Sequence, residues 1–257
     1  MRTMATLLRI AYAGRSLYAV GESLGGAVLL SALQGTPPDV DGMVLIAPAV
    51  WARDTMPLLQ RLSLQLAAHI VPAETVTGGF LHLSPSDNEQ MLRALHDDPL
   101  TIKATRIDVL YGTARLMDQA LAAAARLFMP AFILYGRHDQ IIPPKPVCAL
   151  LNKLPRGAQR RWRMAYYPDG YHMLTRDRHR DVVVEDIAAW LANPHGALPS
   201  GDEILTENPS HAPFCDGRSA AIKQRIDSGR SGLPKVNRAP SGKVKSVHAM
   251  LSSNVRR

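Results

Sequence analysis

Two unbroken apolar runs of strand length, GMVLIAP at residues 42–48 and AFILYG at residues 131–136, constrain this chain more than any other feature. A strand with one wet face alternates apolar and polar residues, whereas a run that is apolar throughout reads as a strand buried on both faces. Helical spacing surrounds these runs. LGGAVLLSALQG follows a shorter strand at residues 16–20 and closes at Gly35. PKPVCALLNKLP and DVVVEDIAAWLANP flank a third run, RRWRMAYYP, whose polar residues place it nearer a sheet edge. Strands alternating with helices in this rhythm predict an α/β fold, a mostly parallel sheet with helices on its faces. Residues 51–127 break the rhythm: they hold no good strand but three helical stretches, MPLLQRLSLQLAAHI, SDNEQMLRALHDD and ARLMDQALAAAARLF. An insertion of that size between two buried strands belongs at one end of the sheet, as a helical cap. Its second helix is expected to start on a Ser or Asp cap.

At 257 residues and 46% hydrophobic content, the chain can bury one substantial core. Its net charge of +8 is uneven, because residues 201–257 carry ten Lys/Arg against five Asp/Glu. Periodicity also stops near residue 198, so residues 1–198 read as the folded domain and 199–257 as a basic, disordered tail. That tail lacks interleaved aromatics or a dense basic block, and nucleic acid is not an expected partner. The opening MRTMATLLRIAYAG superficially resembles a signal peptide, but Arg9 interrupts the apolar run, and an amphipathic helix is the better reading. No run approaches the ~20 apolar residues of a membrane span, and a cytoplasmic location is expected. Cys148 and Cys215 show neither a disulfide framework nor a metal-ligand spacing. Cys148 reads as a buried packing residue, which suits a reducing compartment.

The chemistry starts at Gly21-Glu22-Ser23-Leu24-Gly25, where a strand runs into a Gly-x-Ser-x-Gly turn and a small-residue helix runs out. That local geometry lifts a serine hydroxyl out of the backbone, with Gly21 and Gly25 allowing strand and helix to approach. A serine is a weak nucleophile until a histidine takes its proton and a carboxylate holds that histidine. Of nine histidines, His172 stands out in YPDGYHML, a loop just after the last strand and just before the last helix, where a parallel sheet presents its functional side chains. The others read as cap-helix, polar-segment or tail residues. The acid is expected between serine and base, again just past a strand. Asp139 sits three residues after Gly136, whereas Asp169 lies in a Pro-Asp-Gly turn where its usual task is to cap that turn. His138 reads as a solvent-facing neighbour. The order Ser23, Asp139, His172 is that of an α/β-hydrolase.

GESLGGA, DGMVLIAPA, DDPL, ILYGRHDQIIPP, YPDGYHML and DIAAWL together resemble the monoacylglycerol lipase and lysophospholipase branch of the α/β-hydrolases, among the serine aminopeptidase S33-type enzymes. The resemblance covers roughly residues 1–193. It implies a serine hydrolase of lipid carboxylic esters, with Ser23 as nucleophile, Asp139 as orienting acid, His172 as base and the Leu24 backbone N–H as an oxyanion donor. No cofactor is implied. The expected partner is a small-molecule lipid ester, with peripheral membrane contact and self-association through an exposed strand edge as further expectations. The family's sheet has about four strands before the nucleophile strand and a His-Gly loop that supplies the other oxyanion donor. Residues 1–20 match neither, so the resemblance also implies an N-terminally truncated sheet. The second reading is therefore a catalytically impaired hydrolase remnant serving as an interaction protein or without a role.

Overall fold

The apolar runs form the two central strands of a four-stranded parallel sheet, in a computed structural model that describes residues 1–77, 83–204 and 212–215. In chain order the elements are α1 (Arg2–Ala11), β1 (Tyr18–Glu22), α2 (Leu24–Ser31), β2 (Gly42–Ile46), α3 (Leu58–Ile70), β3 (Thr75–Thr77), α4 (Glu89–Asp97), β4 (Ala104–Arg106), α5 (Ile107–Ala123), β5 (Ala131–Gly136), α6 (Pro144–Lys153), β6 (Trp162–Tyr167) and α7 (Arg180–Ala192). The sheet order is β1-β2-β5-β6, with Val44 paired between Val20 and Phe132. Every described residue lies in one compact unit, Met1–Arg218.

Successive side chains of a strand point to opposite faces, and both faces here are covered. Met43, Leu45, Ile133, Tyr135 and Met164 pack into a cluster with α2, α5 and α6. Val44, Ile46, Phe132, Leu134 and Tyr167 point the other way, into a cluster with Val183 and Trp190 of α7. Trp190 stacks on Phe132 at 5.8 Å and meets Tyr18 edge-on at 5.7 Å. Each such side chain, fully withdrawn from water, contributes about 1.5–3 kcal/mol. The mostly parallel sheet with flanking helices is the α/β-hydrolase arrangement expected above.

Several expectations need correction. β1 begins and ends two residues later than expected, because it stays paired with β2 up to the residue before Ser23. The segment 51–127 does contain strands, since β3 and β4 form a short antiparallel pair. Three residues each are too few to show a period of two. α4 is capped by Asn88, whose side chain accepts from the Met91 N–H, and not by a Ser or Asp. The second half of α5 does not belong to an outlying cap either, since Ala120, Leu121 and Ala123 are buried in the core beside α2. α1 does form at the N-terminus, with Ala5 buried and Met4, Leu7 and Ile10 exposed.

The packed body also runs past residue 198. Residues 202–204 lie antiparallel along the outer side of β6, with Tyr166 N–H donating to Asp202 O (2.9 Å) and Ile204 N–H to Met164 O (2.8 Å). Arg163 grips Glu203 with two bonds of 2.7 and 2.6 Å. Further on, Ala212 and Phe214 are buried, Phe214 against Tyr135 and Tyr166. Cys215 is joined to Cys148 of α6 by a disulfide across 67 residues. The two cysteines are thus partners, and the ground for expecting a reducing compartment falls away, since such bonds persist in oxidising surroundings. Pairing over so long a separation leaves no spacing signal in the sequence. The remainder of the basic tail, with His211 and His248, and also His82, lies outside the described residues. No helix among the described residues is long and apolar enough to cross a membrane.

Candidate active site

Ser23 sits between β1 and α2 with φ at +51°, a conformation that costs a non-glycine residue on the order of 1–3 kcal/mol. Its surroundings hold it there. Ser23 N–H donates to Ile46 O (2.8 Å), and Ser23 O accepts from Ala49 N–H (2.8 Å) and Gly26 N–H (3.0 Å). The turn is so tight that a Cβ at Gly21 would stand 2.6 Å from the backbone carbon of Gly25. A Cβ at Gly26 would stand 2.8 Å from Pro48 Cβ, whereas one at Gly25 would meet open space. The close approach therefore needs Gly21 and Gly26. Gly25 contributes only its backbone to that contact. Leu24 is the first residue of α2, so its N–H has no acceptor within the helix.

Asp139 and His172 lie on the loops that follow β5 and β6, and these loops touch through glycines. A Cβ at Gly136 would be 2.5 Å from the backbone of Gly170, and His138 N–H donates to Gly170 O at 2.8 Å. That approach brings His172 Nδ1 within 2.9 Å of Asp139 Oδ2, and His172 Nε2 within 2.8 Å of Ser23 Oγ. A carboxylate only accepts, so Nδ1 donates and Nε2 is left to accept the serine proton. Asp139 Oδ1 accepts from the N–H groups of Ile141 and Ile142, both at 2.9 Å. Tyr135 supports the same loop by donating to Ile142 O at 2.8 Å. Burial, then the charge of Asp139, pushes the Tyr135 phenol far up, so it stays a donor.

Asp139 and His172 are buried, at 7% and 5% exposure, so water competes little for these bonds. Asp169 is exposed in its turn, and His138 is exposed with its ring 5.2 Å from that of Tyr171. The structure thus brings Ser23, Asp139 and His172 together and leaves Asp169 and His138 outside. Gly26, Gly136 and Gly170 were not singled out in the sequence. Gly26 lies inside α2, Gly136 ends β5 and Gly170 falls in the loop after β6, and none of these places shows in the sequence what approaches it. Among the described residues no group of three His, Cys, Asp or Glu is arranged to hold a metal ion.

A strained serine at a strand–helix turn, on a mostly parallel sheet with a buried aspartate and a histidine past later strands, is the arrangement of the α/β-hydrolase class. Residues 1–179 match the family described as serine aminopeptidase S33, and the chain belongs to that family. It is 25% identical over 181 residues to a monoacylglycerol lipase of Mycolicibacterium smegmatis, and 26% identical over 190 residues to a monoglyceride lipase of Mus musculus. The matches cover 68% and 72% of this chain, and 61% of the length of each relative. Among solved structures, the monoacylglycerol lipase of Paleococcus ferrophilus superposes with a TM-score of 0.60 at 21% identity, covering 74% of this chain and 72% of that one. A soluble variant of the Saccharomyces cerevisiae monoglyceride lipase, in complex with a substrate analog, also gives 0.60, at 19% identity over 75% and 66%.

Proposed function

We propose that this chain is a serine hydrolase of lipid carboxylic esters, of the monoacylglycerol or lysophospholipid type. The observation that carries the reading is the continuous hydrogen-bonded series Ser23–His172–Asp139. Ser23 Oγ attacks the ester carbonyl carbon while His172 Nε2 takes its proton, and Asp139 holds the resulting imidazolium. The carbonyl oxygen becomes an oxyanion facing the Leu24 N–H, a type of donor whose loss costs on the order of 10²–10³ in turnover. As the carbonyl re-forms, the bond to the alcohol oxygen breaks and His172 returns the proton to that alcohol. Water then gives a proton to His172, attacks the acyl-enzyme and releases the fatty acid, restoring the Ser23 hydroxyl.

The names of the relatives support glycerol monoesters as the first substrates to try. Leu58, Leu59, Leu62, Leu66 and Ile70 of α3 are all exposed, which supports contact with an apolar substrate phase such as a membrane surface. A fluorophosphonate probe tests the nucleophile directly. Labelling of the wild-type chain that vanishes in Ser23→Ala, with parallel loss of monoacylglycerol hydrolysis, is the expected result. A folded wild-type chain that takes up no probe would replace this reading with that of an inactive, interaction-only hydrolase.

A further inference from the structure

Two buried polar side chains outside the catalytic series, Ser86 and Asp177, are 3% and 1% exposed and bonded to each other. Ser86 lies in the segment leading into α4, and its Oγ donates to Asp177 Oδ1 at 2.6 Å. The other oxygen, Asp177 Oδ2, accepts from the backbone N–H of Tyr171 at 2.7 Å. Tyr171 immediately precedes His172. The residue after it is held from the same place, since Met173 N–H donates to Pro85 O at 2.9 Å. Asp177 N–H closes the loop on Met173 O at 3.0 Å. The Gly170–Tyr171 and His172–Met173 peptide units are therefore held by Asp177 and by Pro85, on the side away from the Gly136–Gly170 approach.

The segment 85–88 is tied in at further points. Asn88 Nδ2 donates to Arg176 O (3.0 Å), Arg178 N–H donates to Asp87 Oδ1 (2.8 Å), and Asn88 also caps α4. On the opposite side, Thr175 Oγ donates to Glu22 Oε1 at 3.3 Å, next to the nucleophile. The loop carrying the base is thus a joint between the turn of the nucleophile and the root of α4.

We infer that Asp177, held by Ser86, is a positioning residue that sets His172 against Ser23 and couples that setting to the cap. Burial pushes the Asp177 carboxyl up, and no Lys, Arg or His is within ion-pair distance among the described residues. A buried carboxylate without a cation is a poor way to gain stability alone. Its two oxygens instead span a cap hydroxyl and the Tyr171 amide, and an apolar residue could bridge neither. A base displaced by about 1 Å loses on the order of 10² in rate, so the clamp acts on kcat.

This inference rests on the hydrolase reading, and the experiment keeps the two apart. In the full chain, Asp177→Ala is expected to lower kcat for a short-chain ester about 10²-fold with KM unchanged. Asp177→Asn, which still offers an acceptor to Tyr171 and a polar partner to Ser86, is expected to recover most of that loss. Proton NMR supplies a readout free of turnover, namely the low-field Nδ1 proton that His172 donates to Asp139. It is expected in wild type and Asp177→Asn, and lost or rapidly exchanging in Asp177→Ala. If Asp177→Ala does not fold, Ser86→Ala is read in the same way, with a kcat loss of about tenfold. Wild-type kcat and an unchanged His172 proton in a folded Asp177→Ala or Ser86→Ala would overturn the clamp. A change confined to KM would overturn it too. If wild type neither labels nor turns over, the hydrolase reading fails, and the His172 proton still decides whether Asp177 positions the ring.

Discussion

Asp139 shows what one carboxylate can be asked to do. Both oxygens are committed: Oδ1 to the Ile141 and Ile142 amides, Oδ2 to His172. An asparagine there keeps the shape but can turn an amide N–H toward His172, forcing the wrong tautomer. Asp139→Asn is expected to lower kcat on the order of 10⁴-fold, while Asp169→Asn, altering an exposed turn, leaves the rate unchanged. Steady-state kinetics on the two variants checks this, and equal losses would refute the assignment. The positions of Ser23, Asp139 and His172 were legible because each lies just past a strand. Which glycines the site needs was not, because that depends on distances between loops far apart in sequence. Gly136 and Gly170 meet only once β5 and β6 are side by side. Asp177 was invisible for the same reason, its partners lying on another element.

At the scale of elements, α1 lies against the body with most of its surface exposed. It exposes Met4, Leu7 and Ile10, and is held by Arg9, whose guanidinium donates to Asp41 Oδ2 at 3.0 Å. Asp41 also accepts the Leu17 N–H at 2.7 Å. The Leu17 bond first and Arg9 second hold the Asp41 carboxyl below its ordinary value. A carboxylate with a lowered folded pKa adds stability above its unfolded value of about 3.9, and that stability disappears as pH falls through the folded value. Amide exchange in α1 is therefore expected to quicken as the pH drops below about 4, and Asp41→Asn is expected to remove that step. The pair is partly exposed, so salt weakens the effect. An α1 whose exchange follows only the intrinsic pH dependence would refute the anchor. The helix itself was readable from its periodicity. β3 and β4 were not, because a three-residue strand is stabilised by its partner and carries little pattern of its own.

Across the whole molecule, the two sides of the sheet are finished differently. β6 is covered by residues 202–204, while β1 pairs only with β2 among the described residues. Composition placed the end of the domain too early, because Ser200 and the residues after it look like tail yet supply backbone bonds and a partner for buried Asp186. The Cys148–Cys215 bond then holds the last described segment to α6. Cross-linking residues this far apart restricts the unfolded chain, and reduction is expected to cost about 2–4 kcal/mol. Urea unfolding with and without reductant measures it, with Cys148→Ser as the matched control. Identical midpoints would show that the bond adds nothing. The bond also makes a closed covalent ring of residues 148–215, with β6, His172 and α7 inside it and Ser23 and Asp139 outside. A protease that cuts the ring once releases no fragment: the nicked chain migrates as a single species until the disulfide is reduced, and His172 stays tethered to the part of the chain that carries Ser23.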